Sequence, residues 1–127
     1  MTSGGITAVV ETMYDGFAEG DIARAVSVVH PDVEWIEMFP YEGVYRGRDA
    51  LLALFERVSQ DFDLYDMSFD EWIVDRECVA VLGRYRVRRK GRSAVYESRF
   101  VHLFWVEDGR VVKYEQVCDR RTAHLVL

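Results

Sequence analysis

The residues best suited to proton transfer in this 127-residue chain are its three histidines, because imidazole titrates near neutrality without help from its surroundings. His30 sits before Pro31 at the end of a helical pattern, where its expected role is to interact with the helix dipole. His102 falls in the middle of a strand-like run, and His124 lies in the tail beyond the last one. No histidines and carboxylates show metal-ligand spacing, so no metal is expected. Cys78 and Cys118 have neither CxxC spacing nor a nucleophile signature, and read as buried thiols. Without a GxSxG elbow, phosphate loop or dinucleotide fingerprint, nothing points to covalent or nucleotide-dependent chemistry, and no cofactor is expected. The run Arg84, Arg86, Arg88, Arg89, Lys90 and Arg92 reads as a solvated sheet edge that discourages edge-to-edge pairing.

The elements that must position these groups follow from periodicity. Ile6, Val9, Val10, Met13, Tyr14 and Phe17 share one helical stripe, so a helix is expected from Ile6 to Phe17, stopping at Glu19-Gly20. Asp21 is the expected N-cap of a second short helix through Ile22, Ala25, Val26 and Val29, ended by Pro31. Asp32 to Met38 reads as a strand with mixed faces, its register open, followed by a loop from Pro40 to Gly47. Asp49 is a candidate N-cap for a third helix carrying Leu51, Leu52, Leu54, Phe55 and Val58. Four strands are then expected, near 65–74, 78–90, 93–106 and 110–119, and Asp108-Gly109 has the residue types of a two-residue type I′ turn. Helices followed by antiparallel strands predict a single α+β domain over 1–127. It is a curved, mostly antiparallel sheet wrapped around N-terminal helices, a cone with an apolar pocket.

Half the residues are hydrophobic and 13% aromatic, which excludes disordered and low-complexity classes. Sixteen basic against twenty-two acidic side chains give a net charge of -6, so no nucleic-acid partner is expected. The N-terminus lacks a signal-peptide pattern and no run is long and apolar enough to cross a bilayer, so the expectation is a cytoplasmic protein without a membrane partner.

If Asp108 and Gly109 form the turn and pairing continues without interruption, Leu103 faces Tyr114, Val101 faces Gln116 and Arg99 faces Cys118. One face then carries Arg99, Val101, Leu103, Trp105, Val112, Tyr114, Gln116 and Cys118, and this more apolar set is assigned to the pocket. The opposite face, with His102 beside Glu115, is assigned to a partner-facing surface, and a homodimer through it is expected. On the preceding strand, alternation points Tyr85 inward and the arginines outward. Trp35, Phe39, Tyr41, Phe55, Tyr85 and Trp105 are candidates to line a site for a small hydrophobic molecule.

The segments Tyr14 to Asp21, His30 to Trp35, Gly43 to Leu51 and Val106 to Val111 together resemble the SnoaL-like branch of the nuclear transport factor 2-like superfamily, over about residues 5 to 119. That superfamily includes ketosteroid isomerase, polyketide cyclases, limonene epoxide hydrolase and scytalone dehydratase. The resemblance implies the cone fold, frequent dimers and a small carbonyl-bearing ligand. It places Glu37 where ketosteroid isomerase has its catalytic carboxylate, and an apolar pocket would raise such a carboxyl's pKa into a usable range. The isomerase's oxyanion donors do not carry over: its helix tyrosine aligns with Met13, one short of Tyr14, and its protonated Asp aligns with Val101. Limonene epoxide hydrolase's Asp-Arg-Asp set is absent, and Gln116 stands where the cyclases carry an Asp. The resemblance thus implies an isomerase, cyclase or dehydratase using Glu37 as the proton shuttle and Tyr14 and Gln116 as orienting donors. By alternation and register, Trp35, Tyr85, Arg99 and Val101 would line the pocket, where Arg99 would need a partner such as Glu97 or Glu37, or a ligand anion. The alternative is a non-catalytic binding or dimerisation module of the same fold.

Overall fold

Each apolar stripe finds a wall to bury itself against. In the computed structural model, which describes residues 3–127, the elements are α1 (Ser3–Ala18), α2 (Ile22–Ser27), β1 (Val29–Glu37), β2 (Gly43–Arg46), α3 (Arg48–Asp61), β3 (Phe62–Asp75), β4 (Cys78–Arg89), β5 (Tyr96–Glu107), β6 (Arg110–Cys118) and α4 (Arg120–Val126). The stripe of α1 buries Val10, Met13 and Tyr14, and α3 buries Leu51, Leu54, Phe55 and Val58 against the same core. Asp21 caps α2 as expected, accepting from the Arg24 backbone N–H at 3.1 Å. Gly47 rather than Asp49 occupies the cap position of α3, leaving Asp49 in the first turn, where its charge suits the positive end of the helix.

The sheet runs β2-β1-β6-β5-β4-β3, antiparallel throughout except for the parallel β1–β6 pair. Pro31 does not end a helix, since α2 stops at Ser27 and β1 starts at Val29. The proline lies in the interval where pairing with β6 shifts register between Val29 and Glu34, so its missing N–H breaks no ladder bond. The expected loop after β1 contains the short strand β2, and the C-terminal tail forms α4, capped by Asp119 through the Thr122 N–H at 3.1 Å. At Gly83 on β4, a Cβ would collide with the Ser68 carbonyl of β3 and the Phe100 ring of β5. Only glycine lets Phe100 pack flat there.

The turn behaves as its residues demand: Asp108 and Gly109 both have positive φ, 50° and 75°, and Glu107 pairs with Arg110 and Val106 with Val111. The next pair is Trp105 with Lys113, so Val112 is an extra residue on β6, a β-bulge. From there His102 pairs with Gln116 and Phe104 with Tyr114. This corrects the uninterrupted register. Tyr114 and Gln116 do face the interior, but their partners on β5 are His102 and Phe104, while Arg99, Val101, Leu103 and Trp105 lie on the outer face. The arginines of β4 also point outward, but not at an edge. Arg84 pairs with Asp70 and Arg88 with Asp63, both on the edge strand β3.

Candidate functional site

The cone's interior holds a cavity of about 60 Å³ between α1, α3 and the sheet. Phe17, Trp35, Phe55, Tyr65, Phe104 and Tyr114 supply most of its wall, and Tyr14, Glu37, Tyr85 and His102 its remaining polar groups. A second cavity, about 50 Å³, meets the first at Glu37, Val58, Tyr65 and Tyr85 and is closed by Ala123 and Leu127 of the C-terminal segment. Neither space alone approaches the roughly 150 Å³ known to admit benzene. A ring-sized molecule would have to extend across both, past Glu37, or move a wall side chain.

Glu37 ends β1, and its place is fixed on both sides, by pairing with Gly43 of β2 and by Ile36 opposite Glu115 of β6. Trp35 Nε1–H donates to Glu37 Oε2 at 2.8 Å, and Trp35 is itself held by stacking on Tyr114, ring centres 3.8 Å apart. Enclosure pushes the Glu37 carboxyl up to about 7, against the opposing pull of hydrogen bonds from Trp35 and the Met38 backbone. No ion pair among the described residues involves Glu37. The sequence left a Glu37–Arg99 pair open, but Arg99 is exposed on the other side of the sheet.

Across the cavity, His102 is buried, 3% exposed, and both its ring nitrogens are engaged. Nδ1 lies 2.6 Å from the Tyr14 hydroxyl and Nε2 lies 2.6 Å from the Tyr85 hydroxyl. Tyr85 donates to Gln116 Oε1 at 2.7 Å, and Tyr114 donates to the same oxygen at 2.9 Å. Burial lowers the imidazole to about 3, so it is neutral at physiological pH, and burial likewise holds the hydroxyls of Tyr14, Tyr85 and Tyr114 protonated. Phe100 stacks on His102 at 3.9 Å, which fixes the plane of the ring.

Of the residues singled out from sequence, the structure brings Tyr14, Trp35, Glu37, Tyr85 and Gln116 to the two cavities. Arg99 and Val101 are not among them; the bulge puts both on the outer face. His102, Tyr65 and Phe104 enter in their stead, beside Tyr114, which the sequence had already placed inward. The signal available for His102 was the company it keeps: Phe100, His102, Phe104 and Val106 alternate with a set that would have buried the charge of Arg99. Cys78 and Cys118 are free and partly buried, and His30 accepts from the Asp32 backbone N–H at 2.9 Å.

The pattern of SnoaL-like domains matches residues 10–114, and the chain belongs to that family. An NTF2-like protein of unknown function from Burkholderia pseudomallei is 28% identical, with a TM-score of 0.84 over 95% of this chain and 94% of that one. An NTF2-like protein from Burkholderia thailandensis is 27% identical, with a TM-score of 0.87 over 95% of each chain. TerC, solved with polyporic acid, is 24% identical, with a TM-score of 0.86 over 96% of this chain and 97% of that one. No protein of curated function matches the chain.

Proposed function

We propose that this protein is a cofactor-independent isomerase, cyclase or dehydratase that acts on a small, largely hydrophobic, carbonyl-bearing molecule, with Glu37 moving the proton. The observation that carries this is a carboxyl group enclosed in an aromatic cavity, without a cationic partner, whose pKa of about 7 leaves it able both to take and to return a proton near neutrality. Glu37 in its charged form removes a proton from a carbon beside the carbonyl. The electron pair moves onto the carbonyl oxygen, and the protonated carboxyl then returns the proton at another carbon or to a leaving hydroxyl. The aromatic walls exclude water and hold the ligand flat. TerC's complex with polyporic acid supports a ligand of this general kind in the fold.

The test begins with ligand discovery: thermal unfolding against steroid, polyketide, terpenoid and aromatic carbonyl compounds, where a binder raises the midpoint. With a ligand in hand, Glu37→Gln is expected to abolish turnover and keep binding. Unchanged turnover removes Glu37 from the mechanism.

A second reading, a non-catalytic module that pairs with its own copy, draws on the outer face of the sheet, where Val44 and Val117 remain 51% and 54% exposed beside Val101, Leu103 and Trp105. Sedimentation of the wild type and of Val117→Glu tests it. A dimer that dissociates in the variant supports a homodimer through this face, and a wild-type monomer rejects it.

A further inference from the structure

With the Gln116 amide turned so that Oε1 faces Tyr85 and Tyr114, the four hydrogen bonds around His102 allow one arrangement of hydrogens. Gln116 Oε1 carries none, so Tyr85 and Tyr114 must both donate to it. Tyr85 has a single hydroxyl hydrogen, spent on that bond, so at its contact with His102 it can only accept, and Nε2 must carry the imidazole proton. A neutral imidazole protonated on Nε2 has a bare Nδ1, so Tyr14 must donate to it. Hydrogens therefore point one way along the row, from Tyr14 through His102 and Tyr85 to Gln116.

The row cannot be turned by rotating hydroxyls. Reversal needs the Gln116 amide to swing its NH2 group toward the tyrosines and the imidazole to exchange its proton between nitrogens. A proton pushed along the row from Tyr14 finds no base at its end, because an amide oxygen does not hold one at neutral pH. The arrangement is consequently fixed by the residue at its far end. With its hydrogen committed inward, the Tyr14 hydroxyl offers the cavity lone pairs and no donor.

We infer that Gln116 is a positioning residue that sets His102 as the Nε2–H tautomer and makes Tyr14 a hydrogen-bond acceptor, so that the ligand of this cavity bears a hydroxyl at its Tyr14 end. The substrate class narrows from a carbonyl compound to a hydroxy-carbonyl or enol-bearing one, whose hydroxyl donates to Tyr14 while its carbonyl lies toward Glu37 and Tyr65. This rests on the proposed reading only in taking the cavity as the ligand site.

Two readouts test it. Long-range proton–nitrogen correlation spectra of the full chain distinguish a protonated ring nitrogen from a bare one. With three histidines, His102 is assigned by the signals lost in His102→Gln. The wild type and Gln116→Glu, whose carboxylate still accepts from both tyrosines, are expected to show Nε2 protonated and Nδ1 bare. Gln116→Leu, which frees the Tyr85 hydrogen to turn toward the imidazole, is expected to show a mixture. Phenol, a donor, is expected to bind the wild type roughly fivefold more tightly relative to acetophenone, an acceptor only, than it binds Gln116→Leu. A wild-type His102 protonated on Nδ1 overturns the proposal, as does a Gln116→Leu spectrum and probe preference identical to the wild type's. The wild-type spectrum decides the tautomer even if Gln116→Leu does not fold. Turnover surviving in Glu37→Gln would sink the catalytic reading and leave the His102 spectrum untouched, so the two fail separately.

Discussion

Two titratable side chains face one cavity and are treated in opposite ways. His102 has a partner on each nitrogen, and each partner is itself committed or stacked, so the imidazole is locked neutral and works as part of the wall. Glu37 receives one indole hydrogen and a backbone hydrogen bond, with no cation to balance its charge. Burial moves both titrations: it takes the imidazole, whose partners are all neutral, far below neutrality, where the ring stays uncharged. For Glu37 the same burial, opposed by only the two hydrogen bonds and no cation, brings the carboxyl up to about 7, where a proton can be exchanged.

The largest way to break this contrast is to remove the ring between the two groups. Phe104 is 1% exposed and packs on Tyr14, Trp35, His102 and Tyr114. Phe104→Ala is expected to lose about 4 kcal/mol in chemical denaturation, and Val117→Ala on the outer face less than about 0.5 kcal/mol. Similar losses at both sites would show that the interior is not packed as described.

Next in size is a pH effect that the two groups hide from each other. Glu37's folded pKa, about 7, lies above its ordinary 4.5, so the folded chain keeps a proton the unfolded chain has lost, and stability declines as pH rises through that window. His102's folded pKa, about 3, lies below 6.5, so the unfolded chain takes up the extra proton and stability declines as pH falls. Between 4.5 and 6.5 the two slopes cancel. Glu37→Gln uncovers the histidine: its stability is expected to rise by about 3 kcal/mol from pH 4.5 to 6.5, two units at roughly 1.4 kcal/mol each. A flat profile in that variant would mean His102 titrates normally.

A smaller change sharpens the Glu37 side alone. Trp35→Phe keeps a ring for Tyr114 and Phe55 but deletes the indole donor, and the Glu37 carboxyl is expected to climb roughly one further unit, followed by carbon NMR of the carboxyl. The His102 tautomer should not respond. Smallest of all is Asp119→Ala at the start of α4, expected to lose about 1 kcal/mol. It should speed hydrogen exchange in 120–126, the segment covering the cavity shared with Glu37, without changing exchange on β5.

What the sequence disclosed and withheld follows from how far each cause reaches. Helical stripes, the Asp21 cap, the Asp108-Gly109 turn and the inward set of Tyr85 depend on residues close in sequence, and all are legible. β2 has four residues and too short an alternation to register, and the tail's helix becomes amphipathic only when a cavity exists for Ala123 and Leu127 to cover. The bulge at Val112 has no marker of its own type, since valine is an ordinary strand former and fits the alternation on either side of it. Hence one strand of the site, bearing Tyr114 and Gln116, was read on its true face, and its neighbour, bearing His102 and Phe104, on the wrong one. Glu37's position was reachable through the resemblance, while its partner Trp35 and its distance from Arg99 needed the folded chain.

That single unpaired residue makes the last strand behave like a message whose meaning depends on phase. Deleting Val112 would leave both faces as they are, whereas pairing it opposite Trp105 instead of bulging it would slide everything after it by one place and present Lys113, Glu115 and Val117 inward where Tyr114 and Gln116 now stand. The same letters would spell a charged interior with no seat for His102's proton order. Whether that one residue is paired or bulged decides which face of the last strand lines the cavity, without any change to the residues themselves.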